Sequence, residues 1–109
     1  MEIANEILRQ LGGQNRLKAM IAAKNYVALR DGNQPANGLQ FDFMKAKDGI
    51  NKVQIRLNGN DLYDVKFFAQ RGVNCREMIA REDVFVADLE GVFWNDAGVA
   101  IRLPQVRRA

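Results

Sequence analysis

Between Gly49 and Gly72 the chain alternates apolar and polar residues in two runs. Val53, Ile55 and Leu57 interleave with Lys52, Gln54 and Arg56; after Asn58-Gly59-Asn60-Asp61, Tyr63, Val65, Phe67 and Ala69 interleave with Asp64, Lys66, Phe68 and Gln70. A period of two belongs to a strand with one face buried, and Asn, Asp and Gly tolerate turn geometry, so the stretch predicts a β-hairpin. The pattern also restricts the register. A two-residue loop at Asn58-Gly59 would oppose Val53 to Asp64 and bury a carboxylate. A loop of three or five residues sets Ile55 against Tyr63 or Val65 instead and keeps the apolar sets together. An odd-length loop is therefore expected, and with it an outer face carrying Lys52, Gln54, Arg56, Asp64, Lys66 and Phe68.

Elsewhere the period changes. Ile3, Ile7, Leu8 and Leu11 form one helical stripe, with Glu2 and Glu6 at the positive end of the dipole and Gly12-Gly13 as the stop. The next segment is ambiguous: Leu17, Met20 and Ile21 suit a helix, whereas Leu17, Ala19, Ile21 and Ala23 suit a strand. Tyr26-Val27-Ala28-Leu29 favours strand, residues 31–38 (DGNQPANG) form a loop, and Leu39, Phe41 and Phe43 mark another half-buried strand. Val73, Cys75, Glu77 and Ile79 alternate and predict one more. From there Phe85, Val86, Leu89, Val92 and Phe93 predict a helix capped by Asp83 and ended by Gly98, in which Gly91 costs about 1 kcal/mol against alanine. Residues 99–103 read as a last strand or an extended tail before Pro104. Assembled, these elements predict an α+β domain: a single antiparallel sheet of about four to six strands with an N-terminal and a C-terminal helix packed on one face. Residues 1–103 form that domain and residues 104–109 a basic tail.

Composition narrows the chemistry. With 109 residues, 48% of them hydrophobic, the chain can bury one core without staples. There is no histidine, which removes the commonest general base, the commonest zinc ligand and every Ser-His or Cys-His nucleophile. The single cysteine, Cys75, allows neither an intrachain disulfide nor a thiolate zinc site, and in a strand it reads as a small core residue. No phosphate-binding loop of the GxxxxGK type occurs, and Gly12-Gly13 follows a helix, not a strand. Asp61 and Asp64 flank a turn, and Glu82, Asp83 and Asp88 gather near a helix start; both are places that collect acids for structural reasons. No enzyme activity, no cofactor and no metal are expected. Neither an export signal nor a run of about 18 apolar residues is present, so a cytosolic protein without membrane association is expected.

The formal charge of +3 comes from 16 basic and 13 acidic residues. Arg102, Arg107 and Arg108 stand near the end without acidic neighbours, and the rest of the chain is neutral. Ten of the basic residues are arginines, whose planar fork suits phosphate and carboxylate. A solvated terminus is the plainer account of the tail.

The segments ANEILRQLGG, NRLKAMIAAKNYV, INKVQIRLNGNDLYDVKFF and VFVADLEGVFWNDAGVAIRL together resemble a group of small proteins carried by bacteriophages and prophages. The resemblance covers most of the chain: an ILxQLGG start, an NRFIAMTGAKNF-like segment, a KVxITLN and YDVEF hairpin, and a helix that ends in Gly before a short apolar finish. The largest departure lies at Ile21-Ala22, where the group tends to carry Thr-Gly. A glycine there favours strand over helix and tips residues 17–23 toward strand. The extension 104–109 is unusual for the group. The resemblance implies phage origin, hence the cytoplasm of a host cell, and nothing about chemistry.

What remains is binding. The first expectation is a non-enzymatic accessory protein that contacts nucleic acid or a nucleoprotein complex through the wetted sheet face. Lys52, Arg56 and Lys66 would reach phosphates, Phe68 would stack on a base, and Arg102, Arg107 and Arg108 would add charge. So few phosphate contacts imply weak, sequence-tolerant binding that needs a homodimer or a further partner. The alternative is an inhibitor or adaptor that occupies the surface of a host protein.

Overall fold

Residues 2–44 and 46–102 are described by a computed structural model. Helix α1 (Glu2–Gln10) buries Ala4 and Ile7 along one stripe, continued by Leu11, and keeps Glu6 and Arg9 paired on its outer side. Gly12 and Gly13 then take φ values of 106° and 86°, a region open to residues without Cβ. Their N–H groups bond to the carbonyls of Arg9 (3.0 Å) and Leu8 (2.9 Å), so the glycine pair closes α1 as expected.

A second helix, α2 (Gln14–Ile21), follows at once, and this corrects the expectation of a strand over 17–23. Leu17 and Ile21, four residues apart, are fully buried, while Ala19, which a strand would have buried beside them, is exposed. Ala22 caps α2 in the left-handed conformation (φ 56°, ψ 39°), its N–H directed at the carbonyls of Leu17 and Lys18. A glycine at this place would therefore suit a helix cap. Ala22→Gly should raise stability by about 1 kcal/mol in urea titration by relieving the left-handed alanine.

The remaining chain builds one five-stranded antiparallel sheet in the order β1-β2-β3-β4-β5. Its strands are β1 (Lys24–Leu29), β2 (Gly38–Asp42), β3 (Lys52–Leu57), β4 (Tyr63–Arg71) and β5 (Asn74–Val84). In the central hairpin Ile55 pairs with Val65 and Leu57 with Tyr63, so the loop is the five-residue form of the odd-length alternative. Asn58 holds that loop: its Oδ1 accepts from the N–H groups of Asn60 (2.8 Å) and Leu62 (3.2 Å), and its amide nitrogen donates to Asp64 and Asp83.

The domain is α+β, with its helical segments near the N- and C-terminal ends of the described chain and on the same side of the sheet. Leu39, Phe41, Val53, Ile55, Val65 and Phe67 project from that side into one core with Ile7, Leu11, Leu17, Ile21, Leu89 and Phe93. The expected C-terminal helix is corrected in extent. Strand β5 continues through Asp83, which lies in an irregularity at φ 55° and caps nothing, to Val84 paired with Tyr63. A 3-10 turn (Val86–Asp88), a four-residue helix α3 (Leu89–Val92) and a π-helical turn (Phe93–Ala97) follow, ended by Gly98 at φ 70°. Leu89 and Phe93 of the expected stripe are buried, but Phe85 and Val86 are exposed. Strand pairing of Val84 outweighed the helical periodicity that begins beside it. No strand forms over 99–102; Val99 and Ile101 are buried in irregular structure, and Leu103 lies outside the described residues. Residue 102 is fastened to α2, since its carbonyl accepts from Arg16 Nη2 (2.9 Å) and its N–H donates to Met20 Sδ (3.2 Å).

Hairpin β4–β5 turns through Gly72-Val73, with Gly72 at φ 59° as a two-residue hairpin loop requires at its first central position. Its outer half runs past the core, and residues 71–77 are all exposed. Cys75 is among them, so the expectation of a small core residue is corrected: strand alternation says which face a residue occupies, not where the core ends. One thiol per chain should react with Ellman's reagent in the native protein, without denaturant.

Candidate functional site

The register of the sheet brings Lys52, Arg56, Lys66 and Phe68 together on the face that no described element covers. Three cross-strand rows make up that face. Lys24, Asp42, Lys52, Phe68 and Glu77 form the first, Val27, Gln40, Gln54, Lys66 and Ala80 the second, and Leu29, Gly38, Arg56 and Asp64 the third. Gly38 is glycine because β3 lies close: a Cβ there would stand 2.6 Å from the carbonyl oxygen of Ile55.

Three cations of this face, Lys52, Lys66 and Arg56, already have an anion. Lys52 Nζ lies 3.0 Å from Asp42 Oδ1 and Lys66 Nζ 3.4 Å from Glu77 Oε1. Arg56 Nη1 lies 3.2 Å from Asp31 Oδ1 and also donates to Asn37 Oδ1 at 2.7 Å, which ties the 31–37 loop to the sheet. Between them Gln54 donates to Gln40 (2.8 Å). Phe68, placed between Lys52 and Glu77, is half-buried. The face is thus close to neutral and rich in paired polar groups. The Lys66–Glu77 pair is exposed, of a kind that contributes about 0–1 kcal/mol and is readily exchanged for a partner's groups, whereas the Lys52–Asp42 pair is largely buried.

Arg102 is not part of this face. It is held to α2, which packs on the opposite side of the sheet. Arg107 and Arg108 lie outside the described residues, as does the whole 104–109 tail. Two of the acidic residues near the turn and the expected helix start serve the loop: Asp64 accepts from Asn58 (2.9 Å) and from the N–H of Asp83 (3.2 Å), and Asp83 accepts from Asn58 and Asn60. Among the described residues no group of three or more His, Cys, Asp or Glu is placed to hold a metal ion. No described helix is long and apolar enough to cross a membrane.

Two features escaped the sequence patterns. Asp96 is buried and receives a forked pair of hydrogen bonds from Arg81, Nε to Oδ2 at 2.7 Å and Nη2 to Oδ1 at 2.8 Å. These bonds, and then the charge of the carboxylate, push the Arg81 pKa up, and the fork ties β5 to the π-helical turn. The second is the pair Arg71 and Arg76, which flank Gly72-Val73 in the sequence RGVNCR. A two-residue turn at that Gly was the signal that would have placed both on one face.

Fold and surface together define a class, the α+β proteins with a five-stranded meander covered on one face and open on the other. No family model matches the chain, and no curated protein or solved structure matches it either.

Proposed function

We propose that the chain is a non-enzymatic accessory protein of phage origin that acts as an adaptor or inhibitor by laying its open sheet face on a host protein. The observation that carries this reading is the pairing of Lys52, Arg56 and Lys66 with Asp42, Asp31 and Glu77. A polyphosphate needs cations in excess, and its binding strength comes from the counterions those cations displace. A neutral face of amides, ion pairs and one half-buried aromatic ring instead matches the mixed polar surface of a protein.

Nucleic acid is the second reading, favoured by the common face of the three cations and Phe68. It would require the acidic partners to swing away, and a second copy of the chain to supply further contacts. Two measurements separate the readings. Affinity capture from the host should retain one reproducible protein with the parent chain and lose it with Gln54→Glu/Lys66→Glu, two changes confined to the open face. A random single-stranded oligonucleotide should show no binding by fluorescence polarisation at low salt. Salt-sensitive binding that weakens in Arg56→Asp/Lys66→Asp would overturn the protein-partner reading in favour of nucleic acid.

A further inference from the structure

The outer half of hairpin β4–β5 and the 3-10 turn Lys47–Gly49 border an open cleft of about 810 Å³. In the register Ala69 opposes Arg76 and Arg71 opposes Asn74, so these four residues share one face of the hairpin. Arg71 and Arg76 are diagonal neighbours there, and diagonal neighbours stand within about 7–8 Å of each other, a spacing that two long side chains can close onto one group. Both line the cleft and both are exposed.

Their surroundings differ from those of the sheet-face cations. Among the described residues neither Arg71 nor Arg76 makes an ion pair or a side-chain hydrogen bond, whereas Lys52, Arg56, Lys66 and Arg81 all do. The one acid in the lining, Asp48 on the opposite wall, is bonded to neither arginine, and the cleft carries an excess of positive charge. Ala69 and Met78 supply apolar wall beside the guanidinium groups. Like-charged diagonal neighbours repel unless something stands between them, and a guanidinium fork matches the oxygens of a carboxylate or a phosphate.

We propose that this cleft binds a small organic oxyanion, its charged group held between Arg71 and Arg76 and its apolar body against Ala69 and Met78. The volume suits such a ligand, since pockets for small molecules span about 300–1,000 Å³. The site is independent of the protein-partner reading above, because it uses none of the residues of the open face.

Titration of the labelled protein with inorganic phosphate, phenyl phosphate and benzoate at constant ionic strength, followed by amide NMR shifts, tests the assignment. Phenyl phosphate should give saturable shifts confined to residues 48–49 and 69–78, with a dissociation constant about threefold or more below that of inorganic phosphate owing to the buried ring. Benzoate distinguishes a carboxylate source from a phosphate source: saturation by it alone, by the phosphates alone or by all three assigns the class of ligand. Arg71→Ala/Arg76→Ala should weaken binding about tenfold or more, while Arg30→Ala, another exposed arginine, should leave it unchanged. Unchanged amide positions in the core show that the double variant is folded. No saturable shift with any of the three anions, or shifts that survive the double substitution, would overturn the proposal.

Discussion

Ile55→Asp should leave no folded protein at 25 °C, whereas Arg56→Asp, one position along, should fold. Ile55 is fully buried at the centre of the sheet, opposite Leu39 on β2 and Val65 on β4. A carboxylate there meets only apolar side chains, and burying an unpaired charge costs more than the roughly 5–15 kcal/mol that holds a domain of this kind together, unless the group protonates or the strand is lost. Arg56 points to the other face. Its replacement by Asp removes the bonds to Asp31 and Asn37 and sets a new carboxylate opposite Asp64, a loss of about 1–2 kcal/mol at a solvated position. Circular dichroism and urea titration of the two variants check the pair. Equal behaviour would mean that the hairpin register had slipped by one residue, and the open face would then have a different membership.

Phe93→Ala should cost about 3–5 kcal/mol and free the C-terminal segment from the sheet. The ring stands at the meeting point of the aromatic core, stacked on Phe41 at 6.5 Å, edge-on to Phe67 at 5.3 Å and tilted against Phe43 at 6.4 Å. Helix α3 has four residues, too few to persist without packing, so the turns around it depend on this anchor and on the Arg81–Asp96 clamp. Phe93→Leu, which keeps most of the buried volume, should lose clearly less. Urea midpoints of the two variants give the comparison, and proteolysis near residue 90 in Phe93→Ala alone would report release of the segment.

The central hairpin was legible because two independent signals agreed there: alternation fixed the faces, and Asp64 excluded the two-residue loop. Agreement failed where one signal served two structures. Leu17 and Ile21 fit both helix and strand, and the decision rested on Ala22, whose left-handed conformation is rare for alanine and invisible to propensity. Val84, Phe85 and Val86 likewise end a strand and resemble a helix start; the long-range pairing with Tyr63 decided between them. For the candidate surface, alternation was enough to collect Lys52, Arg56, Lys66 and Phe68 on one face. It could not supply their anions, since Asp31 reaches Arg56 from a loop 25 residues earlier in the chain.

The order of the strands in space is their order along the chain, and this bears on the route by which the protein assembles. Each hairpin closes a short loop, and the entropy of closure grows with the length of chain enclosed, so the sheet can zip from neighbour to neighbour at little cost. The fastening of residue 102 to α2 spans 82 to 86 residues and is the slow closure. Pulse-labelling with deuterium during refolding should therefore find the amides of β3 and β4 protected before those of α2, and the two ends of the described chain should be the last parts to join.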